Sequence, residues 1–315
     1  MILGPTATGK SALSLRLATE LDGEIVNADA LQVYRGFDLG TAKPSREDRE
    51  RIPHHLVDVL DPEEPYSAGE FARRARGIIR RIRRRGKLPI VVGGSGLYIR
   101  ALTEGLSPMP PPDRTLRRGL RVLEERQGLD PMRRMLSVLD PELDERLASG
   151  DTQRILRGVE VALGTGRPLT WWQNRPPPHP SPGLPLRLGL TLPRSILYDR
   201  IARRVDRMIA AGWVEEVEAL LNSGIEESAP AFQAIGYREL ARHLRGGLGL
   251  DRAVTKIVQA TRRFAKRQMT WFRKEPDVTW FPAHCIDEEW PELLRSLEEW
   301  MEIPGKCGDG KSRTG

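Results

Sequence analysis

Eight consecutive residues near the start of the chain carry its clearest chemistry. Gly4, Pro5, Thr6, Ala7, Thr8, Gly9, Lys10 and Ser11 spell G-x-x-x-x-G-K-S. In such a loop the glycines let backbone N–H groups turn inward on a phosphate. The lysine reaches the terminal phosphate, and the serine hydroxyl can hold Mg²⁺. A second candidate is Asp29, just past the apolar run Glu24–Asn27, where the carboxyl end of a parallel strand would face the loop. An Asp in that place could equally be a helix cap or a salt-bridge partner. A third stretch, Leu88–Val92, runs into Gly93-Gly94-Ser95-Gly96. Many phosphate-loop hydrolases put there the carboxylate that organises Mg²⁺ and water. This strand ends instead in glycines and a hydroxyl, with Asp58 on the neighbouring predicted strand as the nearest rival, which weakens an ATPase reading. The loop alone does not separate a phosphate that is transferred from one that departs, so an ATP-dependent small-molecule kinase stays open.

These residues need elements to place them. Leu13, Leu17 and Leu21 recur four apart, which predicts a helix over 12–21 directly behind the loop, with an N-terminus that attracts anions. Only Met1-Ile2-Leu3 precede the loop, shorter than the roughly five residues of a buried strand, so the natural chain is expected to begin upstream. Residues 54–60 (HHLVDVL) read as another strand. His54 and His55 lack a partner at metal-ligand spacing and read as structural. A helix over 71–85 places Phe71, Ala75, Ile78, Ile79 and Ile82 on one face and eight arginines around the rest. A solvated face is the default for such a charge run, with RNA contact as the alternative. Pro108–Pro112 marks a boundary, residues 113–166 are helical and highly charged, and 168–185 are Pro-rich. A strand returns at 186–192, followed by helices over 195–211, 212–223, 236–245 and 251–274. The last carries basic residues with interleaved aromatics (TRRFAKRQMTWF). The expected fold is therefore α/β, a phosphate-loop-type parallel sheet with helices on both faces. The core spans 1–112 and 186–303, with a mostly helical insertion over 113–185 and a disordered polar tail over 304–315.

Composition narrows the class. The 315 residues are 39% hydrophobic and 30% charged, with no apolar run of membrane-spanning length. Polar residues interrupt the N-terminus at once, so no signal peptide is read. Two cysteines, Cys285 and Cys307, are too few and too far apart for a disulfide framework or zinc site, which suits a reducing cytoplasm. Fifty Lys and Arg against 43 Asp and Glu leave a net charge of +7, compatible with a polyanionic partner. No internal repeat is visible.

In order along the chain, the blocks GPTATGKS, NADALQVYRGFDLGTAKP, PHHLVDVLDPEEPYSAGEF, LPIVVGGSGLYIRAL, DTQRILRGVEV, GWVEEVEALL, AIGYREL and TRRFAKRQMTWFR closely resemble the tRNA dimethylallyltransferases, the bacterial tRNA isopentenyltransferase family. The resemblance implies transfer of a dimethylallyl group from its diphosphate to N6 of an adenosine beside the tRNA anticodon, with Mg²⁺ as cofactor. Residues 4–11 would then hold a diphosphate that departs, which requires no water-activating carboxylate, and no DDxxD motif is present. By the same resemblance Asp29 accepts the N6 proton, and Ser95 keeps a hydroxyl where the family usually has Thr. Arg204 would grip the phosphates. The family's tRNA contacts fall on Asp29, Ala30, Leu31, Gln32, Arg117, Gln153, Arg154, Ile155, Leu156, Arg157, Gln233, Gly236, Tyr237 and Arg238, for an anticodon stem-loop whose target base leaves its stack. Ala30 stands where Ser is common, which puts one polar contact in doubt. The missing C-terminal zinc finger, judged by the cysteines, argues for the bacterial rather than the eukaryotic form. A monomer with no membrane partner is expected. A cytokinin-type transferase on free adenine nucleotides would have little use for a basic insertion, and a non-catalytic RNA-binding module would not need Lys10, Asp29 and Ser95 together.

Overall fold

The structure, a computed structural model, describes residues 1–111, 113–176 and 185–302. Six strands form one fully parallel sheet: β1 (Ile2–Leu3), β2 (Gly23–Asn27), β3 (His54–His55), β4 (Leu88–Val92), β5 (Arg187–Thr191) and β6 (Val278–Pro282), in the order β3-β2-β4-β1-β5-β6. All five residues of β2 are buried, as a sheet covered on both faces requires. The helix Lys10–Glu20 packs Leu13 and Leu17 into a core with Ile2, Ile25, Ile90, Leu188 and Phe281. The helix Ala68–Arg84 buries Phe71, Ala75, Ile78, Ile79 and Ile82, the face its periodicity marks.

Parallel pairing brings every carboxyl end to one edge of the sheet. Ile2 lies opposite both Val92 and Leu188, so the loops after β1, β4 and β5 leave side by side. Ala28 donates its N–H to Val92 O at 2.7 Å, which draws the β2 exit into the same group. Only a glycine fits at 93, since a Cβ there would lie 2.2 Å from the Ala28 carbonyl oxygen.

The expected strand over 54–60 is a correction. Only His54 and His55 join the ladder, because Leu56 (φ 64°) and Asp58 (φ 54°) adopt left-handed backbone that no strand accommodates. Asp58 is accordingly not a strand-end carboxylate. It is held by Lys43 Nζ and Arg49 Nη1, each at 2.5 Å. Beyond the elements anticipated from periodicity lie β6 and a helix over Trp290–Glu302, whose Leu293 and Leu297 join the core of the sheet.

By contacts the chain divides into two compact units, Met1–Thr103 with Ser181–Gly315, and Glu104–Pro180. The second is helical. Leu120, Met132, Leu136, Leu143, Ile155, Val159 and Leu169 form its core, and the buried Asp140 accepts hydrogen bonds from the Leu143 and Thr170 backbones. The expected tail over 304–315 and the centre of the Pro-rich stretch lie outside the described residues.

A buried carboxylate ties the sheet edge together. Glu24 on β2 accepts from His55 Nε2 at 2.7 Å and from Arg85 Nη2 at 2.8 Å on each oxygen. Burial opposes its ionisation, but the hydrogen bonds from His55 and Arg85 outweigh it and hold the carboxyl below its usual range. A folded pKa below the unfolded one stabilises above the unfolded value and is lost as pH falls through the folded value. Glu24→Gln is therefore expected to cost about 1–3 kcal/mol at neutral pH. Urea unfolding of both proteins across acidic pH checks this. The gap should close as pH falls, and a pH-independent gap would assign the cost to packing.

Candidate active site

The edge where the strands end opens into a cavity of ≈ 950 Å³ within the first unit. Thr6, Ala7, Gly9, Lys10 and Ser11 form its floor, and Asp29 faces in from the exit of β2. Arg204 and Arg207 reach in from the helix Arg194–Ala210, and Gln268 from the helix Leu250–Phe272. Pro5 and Thr8 are buried beneath the loop and shape it. The Pro5 carbonyl accepts from Thr8 Oγ1 at 2.8 Å and from Lys10 Nζ at 2.7 Å, while Ala7 takes a left-handed conformation at φ 65°.

Two cations crowd this floor. Desolvation, then the nearby Arg204, bring Lys10 down to about 7, against an opposing pull from Asp29. Burial also lowers Arg204, with Asp29 raising and Arg207 lowering it. Two desolvated cations at one cavity form a site whose complement is an anion. Asp29 accepts the Leu31 N–H at 2.9 Å and the Gln32 N–H at 3.4 Å through Oδ1 alone, so it both caps its own turn and presents its second oxygen. For a metal, the described residues hold no cluster of three His, Cys, Asp or Glu. Ser11, in the first turn of the Lys10–Glu20 helix, is exposed on the cavity floor. That fits Mg²⁺, which keeps waters and takes most of its oxygens from phosphates rather than from an all-protein cage.

The far wall is apolar. On the Arg194–Ala210 helix Met208 lies one turn beyond Arg204, and on the basic C-terminal helix Phe264 lies one turn before Gln268. The rim is the segment 38–49, fastened from below. Gln32 Nε2 donates to the Thr41 and Ala42 carbonyls at 2.9 and 3.1 Å, and Lys43 Nζ to the Tyr34 carbonyl at 2.7 Å and to Asp38 and Asp58. Half-buried Glu216 accepts the Leu39 N–H at 2.8 Å and the Tyr237 hydroxyl at 2.6 Å. Hence the GWVEEVEALL and AIGYREL blocks hold the rim from behind.

A family model described as IPP transferase matches residues 32–275, and one described as isopentenyl transferase matches residues 1–57. The chain belongs to the IPP transferase family. The chain is 50% identical over 280 residues to a tRNA dimethylallyltransferase of Geobacter metallireducens, covering 89% of this chain and 91% of the relative. It is 43% identical over 299 residues to one of Thermomicrobium roseum, covering 95% and 89%. Its fold matches the full-length tRNA isopentenylpyrophosphate transferase of Bacillus halodurans at a TM-score of 0.68, 37% identity and coverage of 95% and 96%. It also matches a eukaryotic dimethylallyltransferase solved acting on tRNA, at a TM-score of 0.76, 27% identity and coverage of 95% and 77%.

The site residues read from the sequence distribute unevenly. Thr6, Ala7, Gly9, Lys10 and Ser11 of the loop, Asp29, Gln32 and Arg204 meet at the cavity, whereas Gly4, Pro5 and Thr8 are buried outside its lining. Ser95 stands just past it at the head of the helix Gly96–Thr103, where its carbonyl accepts the Tyr98 and Ile99 N–H groups. Ala30 and Leu31 are half-buried in the turn after Asp29, and Gln233 and Arg238 are exposed. In the helical unit Arg117, Gln153, Leu156 and Arg157 line a pocket of ≈ 140 Å³ with Glu160, and Arg154 is exposed with Asp151 beside it at 2.8 Å. Two expected contacts need correction. Ile155 and Tyr237 are 0% exposed, in the cores of their units, and their side chains cannot touch an RNA. Gly236 is also buried, against the ring of Trp213. Residues missed from sequence are Arg207, Met208, Phe264 and Gln268. The signal for Gln268 was its position as an uncharged amide within TRRFAKRQMTWF.

Proposed function

We propose that this protein transfers a dimethylallyl group from dimethylallyl diphosphate to N6 of the adenosine 3′ to the anticodon, position 37, of tRNA. The observation that carries the reading is one cavity with three chemistries in it: paired cations on a phosphate loop, a carboxylate beside them, and an apolar wall one helical turn away. Lys10, Arg204 and the loop amides receive the charge that gathers on the diphosphate as the allylic C–O bond breaks. Met208 and Phe264 suit the short hydrocarbon. Asp29 takes the N6 proton through the oxygen its turn leaves free. Mg²⁺, held at Ser11, would neutralise part of the diphosphate charge. Ser95 contributes at the end of β4, beside the cavity wall at Gly94. The enzyme acts as a monomer on the anticodon stem-loop. Mass spectrometry of tRNA nucleosides after incubation with dimethylallyl diphosphate tests the reading, with dimethylallyladenosine as the expected product. Phosphorylated product from labelled ATP would replace it with a kinase.

The helical unit supplies RNA contacts in this reading, and its ion pairs decide which arginines are available. Arg117 and Arg157 hold the buried Glu160 at 2.8 and 3.1 Å, so reversing Arg157 would set two carboxylates together and disturb the unit itself. Arg154 is 69% exposed and can be reversed without such damage. Arg154→Glu is expected to flatten the log–log salt dependence of tRNA affinity by roughly one unit. Diphosphate affinity should be unchanged. Titrations of labelled tRNA across a range of KCl concentrations check it, and an unaltered slope would move the RNA site to the basic C-terminal helix.

A further inference from the structure

Gln268 is 5% exposed, and among the described residues its side chain makes two hydrogen bonds, both to distant backbone. Its Oε1 accepts the Thr6 N–H at 2.8 Å, and its Nε2 donates to the Gly94 carbonyl at 2.9 Å. Thr6 is the third residue of the phosphate loop, and Gly94 is the second residue beyond β4. One amide thus bridges the two segments that enclose the cavity floor. Its orientation is determined by its partners, since a flipped amide would set NH₂ against N–H and oxygen against oxygen. A carboxylate of the same shape could accept from Thr6 but would face the Gly94 oxygen with a second acceptor. Gly94 leaves the room for this arrangement, because a Cβ there would lie 2.1 Å from Gln268 Nε2.

We propose that Gln268 is a positioning residue for the diphosphate, holding the phosphate loop in its binding form before substrate arrives. The proposal rests on the functional reading above and adds to it a residue that acts through the loop rather than on the RNA. A loop held open in advance loses little freedom on binding, so the benefit appears as affinity for the diphosphate. Without Gln268 the Thr6 N–H and Gly94 carbonyl lose their partners and the loop can close on itself.

The test compares folded Gln268→Glu, Gln268→Ala, Gly94→Ala and Lys10→Ala proteins, with circular dichroism and thermal melting reporting the fold. Inorganic diphosphate binding is measured by calorimetry, tRNA binding by titration, and KM and kcat with dimethylallyl diphosphate and tRNA. Gln268→Glu and Gln268→Ala should weaken diphosphate binding about 10- to 100-fold. The KM for dimethylallyl diphosphate should rise in step, while kcat at saturation changes far less and tRNA affinity is kept. Gly94→Ala pushes the amide out from the other side and should give the same pattern. Combining it with Gln268→Ala should add little, because the two act on one contact. Unchanged diphosphate affinity in the Gln268 variants, beside a loss in Lys10→Ala, overturns the proposal alone. A loss of tRNA affinity with diphosphate binding intact makes Gln268 an RNA contact and overturns it too. If Lys10→Ala also keeps its diphosphate affinity, the functional reading fails and the proposal with it.

Discussion

Asp29→Asn and Asp29→Ala should each lower the single-turnover rate about 10²–10⁴-fold, the usual contribution of a general base. The pair of variants separates two jobs that the structure puts on one side chain. Oδ1 receives the Leu31 and Gln32 N–H groups and so shapes the turn, whereas the other oxygen is free for a substrate proton. Asn keeps an acceptor for the turn and removes the base, while Ala removes both. A similar loss in the two variants therefore assigns the rate to proton transfer. Near-normal turnover in Asp29→Asn alone would reduce Asp29 to a cap. Diphosphate affinity is the second readout. It should change far less than the rate, and a parallel fall would make Asp29 a metal ligand instead.

Lys10→Ala should lower transfer about 10²–10³-fold or more, on the scale of removing a donor aimed at developing negative charge. Diphosphate binding should weaken with it. The empty protein, by contrast, should become more stable. Lys10 sits near 7 in the fold, far below its ordinary 10.5, because burial and Arg204 disfavour its ammonium. A lysine whose folded pKa is depressed opposes folding at every pH below its unfolded value, most strongly once pH falls below the folded value. Among the described residues its ammonium has one hydrogen bond, to the Pro5 carbonyl, and it lies on the cavity floor, so truncation opens no core cavity. Thermal melting at pH 6 with and without diphosphate checks both halves. The variant should melt higher when empty and gain less from the ligand. A lower melting temperature in the empty state would mean that Lys10 holds the loop together.

Local signals made much of this legible. The G-x-x-x-x-G-K-S spacing and the apolar stripes of the Lys10–Glu20 and Ala68–Arg84 helices follow from neighbours in the chain, and they stand where periodicity put them. The failure at 56–60 has the opposite origin. Leu56 and Asp58 are turned into left-handed backbone by contacts made elsewhere, and neither residue type demands it. Ile155 and Tyr237 stand next to the exposed Arg154 and Arg238 in blocks that mix buried and exposed positions, and only burial distinguishes them. Gln268 was hidden for a further reason. Its partners are 262 and 174 positions away, and a pair of hydrogen bonds leaves no period in a sequence.

The order of the strands also has a consequence at the ribosome. β1 lies between β4 and β5, so neither edge of Ile2–Leu3 can be paired until residues 88–92 and 187–191 have been made. At about 5–20 residues per second, those partners follow by several seconds and then by about ten seconds or more. Through that interval an apolar strand and a cation-bearing loop are both exposed on a nascent chain. Gln268 emerges later still. Translation thus delivers the anion-binding loop early and the amide that braces it near the end, and a chain stalled before residue 268 would carry the motif without a braced pocket.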